Sequence, residues 1–288
     1  MCQKIISRKI LINGITLANA NITRLLLRIK YWQKMEMEIT FFGNQDLKDQ
    51  IDAQKIINDY NFIEFQNTSR VNNKIHLTLE YLRRNLLALP FVFRFRHKFD
   101  IVYSSSSVLD CLIFGYLLKK ADKKIKWAAV FDNIVPISDA GNKLIRFLGW
   151  VFFRISLILL KNADVIFAGS KDLEQFLIKK EFDKEKIIER GQAVRNDMIK
   201  RSVYNPRYNI DALFIGRINE TKGIFEMLKV LKLVKEKYPD FQLAIMGVGD
   251  APIMRKYHKA IREMKLKKNI QFLGYQSEKN KFTIIKSS

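Results

Sequence analysis

From Lys9 to Leu273 the sequence alternates short apolar runs with longer stretches of helical periodicity, and that rhythm sets the fold class before any motif is considered. Runs of four or five apolar residues read as strands buried on both faces. The stretches between them are long enough for the crossover helices of βαβ units, which implies a mainly parallel sheet. Strands are expected over 9–13 (KILIN), 38–42 (EITFF), 100–103 (DIVY), 127–131 (WAAVF) and 164–168 (DVIFA), with helices over 17–34, 47–60, 74–96, 109–120, 143–161 and 171–180. A less regular stretch containing Asn205 and Pro206 interrupts the pattern and reads as a linker. The chain thus divides into a first domain over 1–190, a linker over 191–210 and a second domain over 211–288. The rhythm restarts with strands over 212–215 (ALFI), 242–246 (QLAIM) and 270–273 (IQFL), helices over 224–238 and 253–264, and a further helix from 278. An open nucleotide-binding sheet commonly has about five or six strands, so the second α/β domain reads as incomplete.

Lys and Arg number 51 against 29 Asp and Glu, a formal charge of +22. That surplus suits phosphates, nucleotides, anionic lipid headgroups or nucleic acid, although a bias in base composition would also enrich Ile, Lys and Asn. Specific nucleic-acid binding lacks local support: there is no zinc-finger spacing, aromatic RNA-binding motif or concentrated basic arm. The only cysteines, Cys2 and Cys111, cannot build a disulfide framework or a thiolate zinc site. His76, His97 and His258 are isolated, so no metal is expected. The first eight residues are too short and polar for a signal peptide. The strongest membrane candidate, 147–160 (FLGWVFFRISLILL), falls short of the about 18 to 20 apolar residues needed to span and is broken by Arg154. Core packing is the preferred reading of 143–161, with an interfacial helix as the rival. The expected compartment is the cytoplasm, with peripheral attachment at the inner membrane face if the rival holds.

Residues 216–223 (GRINETKG) follow one strand and open a helix. A diphosphate suits such a place, because backbone N–H groups and the positive end of a helix favour an anion at the carboxyl edge of a parallel sheet. Arg217 offers a planar fork, Lys222 a point charge, and Gly216 and Gly223 a close backbone approach. The plainer reading is a solvated basic turn. Residues 247–250 (GVGD) follow the next strand; Gly247 and Gly249 could line a phosphate or ribose, but Pro252 stands where a dinucleotide fingerprint requires glycine. Taken alone, a simple turn explains them better. Phe272 and Gly274 close the third strand, where an ordinary buried strand end is the simpler account. In the first domain, Asp132 ends the WAAVF strand and could orient a hydroxyl, accept a proton, or cap the following turn. Ser104 to Ser107 read best as caps of the helix from Leu109.

Together, GRINETKG, GVGD and QFLGY at the ends of successive strands resemble the donor-binding half of the family 4 (group 1) glycosyltransferases, which have two Rossmann-like domains in the GT-B fold. The resemblance is firm over 212–288 and looser through the first half, where Ser104 to Ser107, Asp110, 127–136 (WAAVFDNIVP) and 163–170 (ADVIFAGS) match the acceptor domain. It implies that Arg217, Lys222 and Gly216 hold a donor diphosphate, that Gly247, Gly249, Phe272 and Gly274 line the nucleoside, and that Asp132 serves the acceptor side. The implied activity is transfer of a sugar, with retention, from a nucleotide-diphosphate sugar to a glycan or lipid-linked acceptor hydroxyl in the interdomain cleft, as in polysaccharide or glycolipid biosynthesis. No cofactor beyond that donor substrate is implied. Three departures stand out: Gly14 is alone where relatives often have a glycine-rich loop, Phe131 and Asp132 stand where many have a histidine, and the sequence stops before the family's paired-glutamate signature. The expectation is therefore a glycosyltransferase whose independent competence is in question, with a noncatalytic nucleotide-binding or split-protein fragment as the alternative.

Overall fold

A computed structural model describes residues 8–15, 19–65, 74–135, 143–191, 194–208 and 210–288. The chain forms two compact units, Met1–Val194 and Arg195–Ser288. The first runs β1 (Lys9–Asn13), α1 (Asn19–Gln33), β2 (Glu38–Gly43), α2 (Gln45–Gln54), β3 (Asn61–Glu64), α3 (Lys74–Phe95), β4 (Ile101–Ser104), α4 (Leu109–Ala121), β5 (Lys126–Phe131), α5 (Lys143–Leu160), β6 (Val165–Ala168), α6 (Lys171–Lys179) and β7 (Ile187–Glu189). Its sheet is parallel with strand order β3-β2-β1-β4-β5-β6-β7. The order reverses direction between β1 and β4, and in open α/β sheets the crevice at the carboxyl ends beside such a reversal is where ligands bind.

Central strands buried on both faces explain why the apolar runs were nearly continuous. On one face Leu11, Phe42, Val102, Trp127 and Ala129 pack with α3, α4 and α5; on the other Ile10, Ile12, Phe41 and Val130 pack with α1 and α2. Phe42 sits within an aromatic cluster, its ring centroid 5.3 Å from Phe65, 4.8 Å from Phe91, 5.2 Å from Phe95 and 5.1 Å from Phe114.

The edge strands β3 and β7 depart from the sequence expectation. The helix expected over 47–60 ends at Gln54, because Lys55 takes the left-handed conformation (φ 50°) and its N–H returns to Asp52 O. The chain is thereby freed to add β3 beside β2.

The second unit contains α7 (Asn196–Arg201), β8 (Ala212–Ile215), α8 (Ile224–Lys237), β9 (Leu243–Met246), α9 (Ala251–Glu263), β10 (Ile270–Gly274) and α10 (Glu278–Lys286). Its parallel sheet has the order β10-β9-β8. Ile224, Leu228, Leu231, Ile245, Tyr257 and Ile261 fill one face, while Ile210, Ala244, Met246 and Ile284 fill the other. Part of the stretch expected as a linker belongs here: α7 packs on α10, Asn205 N–H donates to Ser287 Oγ (2.8 Å), and Lys286 Nζ donates to Ser202 O (2.9 Å).

Candidate functional site

At the carboxyl ends of β8, β9 and β10 the three glycine-containing segments come together. Gly216 N–H donates to Met246 O and Ile218 N–H to Val248 O, both at 3.0 Å, so the backbone is fixed on either side of Arg217. Ile218 is also buried in the core, which leaves Arg217 projecting from an anchored extended segment. Gly247 N–H donates to Gly274 O (2.9 Å), tying the second loop to the third. A Cβ on Gly247 would lie 1.8 Å from Gly216 O, and one on Gly249 would lie 2.7 Å from Ile218 O. Only glycine lets these backbones approach so closely. Gly274 adopts φ 63° as the chain leaves β10.

The two helix ends at this edge differ. Gly223 (φ 67°) starts α8 without any side-chain cap, while Arg217 and Lys222 are exposed beside it. At α9, by contrast, Asp250 Oδ1 accepts from Ile253 N–H (3.0 Å), so a carboxylate already occupies that amino end. The amino end of α8 is thus uncapped, with Glu226 in its first turn, whereas a side-chain carboxylate already caps α9, and Gly247 and Gly249 are left as a close-packed backbone wall. The ring of Phe272 rests on α9, with centroids 4.9 Å from His258 and 6.1 Å from Tyr257. Tyr275, just beyond Gly274, is 84% exposed.

In the first unit Asp132 follows β5 and is half-buried. Its Oδ1 is held by Arg190 Nη2, directly after β7. The turn that Asp132 could cap runs into 136–142, which lie outside the described residues. Arg28 of α1 donates through Nη1 to the hydroxyl of Tyr103 (3.0 Å). Arg24, Arg28, Tyr103, Ser105, Asp132 and Arg190 line one recess. Sequence reading did not find Arg28, Tyr103 or Arg190. The partners lie 75 and 58 residues apart, and no local pattern announces them.

Beneath the recess is a buried polar floor that revises the role given to the serines. Val108, the residue capping α4, makes no side-chain cap bond. Instead Ser104 Oγ donates to Cys111 O (2.8 Å) and accepts from Trp127 Nε1 (3.0 Å), Ser105 Oγ donates to Asn13 O (2.8 Å), and Asn13 Nδ2 donates to Cys111 O (2.9 Å). The serines thus bind the ends of β1 and β4 to the first turn of α4. Asp110, in that turn, lies near Asn85 and Arg84, and burial pushes its carboxyl up to about 7. Among the described residues no cluster of His, Cys, Asp and Glu could hold a metal ion, and no helix is long and apolar enough to cross a membrane.

Two parallel α/β units, one with three interlocked glycine loops, define the architecture of the GT-B glycosyltransferases. It is shared with the Anabaena HepE crystal structure in complex with UDP and glucose, at a TM-score of 0.64 and 13% identity over 96% of this chain and 72% of that one. Residues 196–288 match the model of the glycosyl transferases group 1. An uncharacterised glycosyltransferase of Methanocaldococcus jannaschii is 26% identical over 279 residues, 90% of this chain and 63% of the relative. The phosphatidyl-myo-inositol mannosyltransferase of Mycobacterium tuberculosis is 33% identical over 84 residues, 29% of this chain and 21% of the relative. The chain thus spans less than two thirds of the length of these curated relatives.

Proposed function

We propose that the chain binds a nucleoside-diphosphate sugar on the loops of its second unit and takes part in transferring that sugar to an acceptor hydroxyl. The observation that carries this is the uncapped amino end of α8 next to Lys222 and the exposed Arg217, set against a second loop whose Gly247 and Gly249 are packed too closely to admit any other residue. In this reading Arg217, Lys222 and Gly216 hold the diphosphate, Gly247, Gly249 and Gly274 border the nucleoside, and Phe272 supports them. Transfer breaks the bond between the anomeric carbon and the diphosphate oxygen and forms one to the acceptor oxygen, while the acceptor proton passes to the departing diphosphate. Configuration is retained. Fixed positive charge at the α8 end stabilises the negative charge that develops on the leaving group. Asp132, oriented by Arg190, accepts a hydrogen bond from the acceptor hydroxyl. The UDP complex of the structural relative makes UDP the first nucleotide to try. NMR titration of the full chain with UDP is expected to shift amide signals of 216–224, 247–249 and 274–275. Shifts confined to other residues, or none with any nucleoside diphosphate, would refute the assignment.

The first unit also presents an apolar face bordered by cations, which supports peripheral attachment to an anionic bilayer and a lipid-linked acceptor. Helices α3 and α5 pack on either side of α4. Their outward residues are apolar at helical spacing: Leu86, Leu89 and Phe93 on α3, with Phe93 73% exposed, and Phe147, Ile155 and Ile158 on α5, with Ile158 66% exposed. Arg94, Arg96, Lys98, Arg154 and Lys161 are exposed among or beside them. Cationic residues flanking an apolar stripe complement anionic headgroups over an acyl boundary. Sedimentation with phosphatidylglycerol vesicles is expected to capture the protein, and F93S with I158S to weaken capture at least about tenfold, given the apolar area removed. Equal capture by phosphatidylcholine vesicles, or no loss in the double variant, would count against this surface.

A further inference from the structure

The recess around Asp132 holds more positive charge than its known partners use. Three guanidinium groups, those of Arg24, Arg28 and Arg190, line it with a single carboxylate, that of Asp132. Arg190 Nη2 is engaged by Asp132 and Arg28 Nη1 by Tyr103, but Arg190 Nε and Arg28 Nη2 are buried without a hydrogen-bond partner among the described residues. Buried N–H groups are normally satisfied, and an orphan on a charged group is especially unfavourable. Tyr103 OH accepts the Arg28 Nη1 bond and Ser105 Oγ donates to Asn13 O, and neither hydroxyl accepts from the two orphaned N–H groups. Burial and the neighbouring charge of Arg190 both press Arg28 below its usual acidity range, as expected where two cations share one counter-ion.

We propose that Arg28 and Arg190 form an oxyanion subsite that receives a phosphate or carboxylate group carried by the sugar acceptor. The inference rests on reading the first unit as the acceptor side. The recess has a volume of about 10 Å³, roughly the space of one water-sized oxygen. One oxygen of the anion therefore enters between Arg28 Nη2 and Arg190 Nε, while the rest of the group lies at the mouth beside exposed Arg24. Guanidinium groups suit this task because their planar N–H forks match carboxylate and phosphate oxygens. The site lies at the carboxyl ends of β4, β5 and β7 beside the reversal of strand order. Asp132 is thereby left next to the anion, with its second oxygen available to a hydroxyl of the same acceptor.

Calorimetric titration of the full chain with glycerol 3-phosphate, glycerate, glycerol and inorganic phosphate tests the proposal. The two anionic glycerol derivatives are expected to bind and glycerol to bind far more weakly. R28Q and R190Q should each weaken the anions by about ten- to a hundredfold, the equivalent of one lost charge-assisted hydrogen bond. Because R190Q also strips Asp132 of its partner, R28K and R190K serve as second variants: they keep the charge, lose the fork, and should fall between wild type and the glutamine forms. UDP affinity, measured on the same samples, should not change. Equal binding of glycerol and glycerol 3-phosphate, or wild-type affinity in R28Q, overturns the subsite. Inorganic phosphate binding as tightly as glycerol 3-phosphate, with the same loss in the variants, overturns its assignment to the acceptor. Loss of UDP binding in wild type with the anion response intact would sink the donor reading and leave the subsite standing.

Discussion

Replacing Arg217 and Lys222 together by alanine is expected to weaken UDP binding at least about a hundredfold in calorimetric titration. A hydrogen bond to a charged group contributes about 1.5–3 kcal/mol, and each 1.4 kcal/mol is about tenfold in affinity. Two such contacts at their lower bound give roughly two decades. The lower bound is the appropriate one, because both side chains are exposed and water screens them. The single variant R217K should lose less, since it keeps the charge and gives up only the bidentate fork. Folding should be untouched, because neither side chain belongs to the core of the second unit. Wild-type affinity in a folded double variant would remove the cationic pair from the donor site.

The second large effect is on stability. G247A is expected to destabilise the second unit by more than about 3 kcal/mol, in the range of severe backbone and packing defects. The new Cβ would lie 1.8 Å from Gly216 O and 2.9 Å from Gly216 C, both backbone atoms that cannot swing aside, and the residue holds φ 151°. Relief requires the first and second loops to separate, which breaks the bonds from Gly216 N–H to Met246 O and from Ile218 N–H to Val248 O. G216A is the matched control: its Cβ would meet nothing nearer than the Phe214 ring at 3.6 Å, so a change within about 0.5 kcal/mol is expected. Hydrogen exchange at the amides of β8 and β9 measures both. Wild-type protection in G247A would show that the loops are not packed as described.

The central strands could be read from sequence because burial on both faces leaves an unbroken apolar run; β1 falls where expected, at Lys9–Asn13, and β9, expected over 242–246, runs Leu243–Met246. The edge strands of the first sheet could not. β3 (NFIE) is only partly buried along its length, and in β7 (IIE) only Ile187 is buried, so neither carries that signature. Lys55 also hid the end of α2, since a left-handed cap is normally announced by glycine. The second-unit loops were legible for the opposite reason. Their geometry is imposed by glycines, whose restriction to close backbone approaches is a property of the residue itself. The cluster in the first unit depends on side chains that meet only after the sheet forms. Asp132 could be placed at a strand end, but its partner Arg190 and the Arg28–Tyr103 bond are products of tertiary structure. Ser104 and Ser105 were misassigned because a hydroxyl ahead of a helix has two outlets, and here the carbonyls of Asn13 and Cys111 outcompete the amides of α4, whereas Ser106 Oγ accepts from Val108 N–H at the start of that helix.

Asp250 gives the rim of the second sheet a sign. Its first loop carries Arg217 and Lys222 with Glu220, which pairs with Lys256 of α9 at 3.6 Å, and its second carries a fixed negative charge within the turn that starts α9. A molecule lying along both must be built with matching asymmetry, charged at one end and neutral at the other. The rim therefore sets a direction as well as a place, and a ligand laid the wrong way round would press its phosphates against a carboxylate.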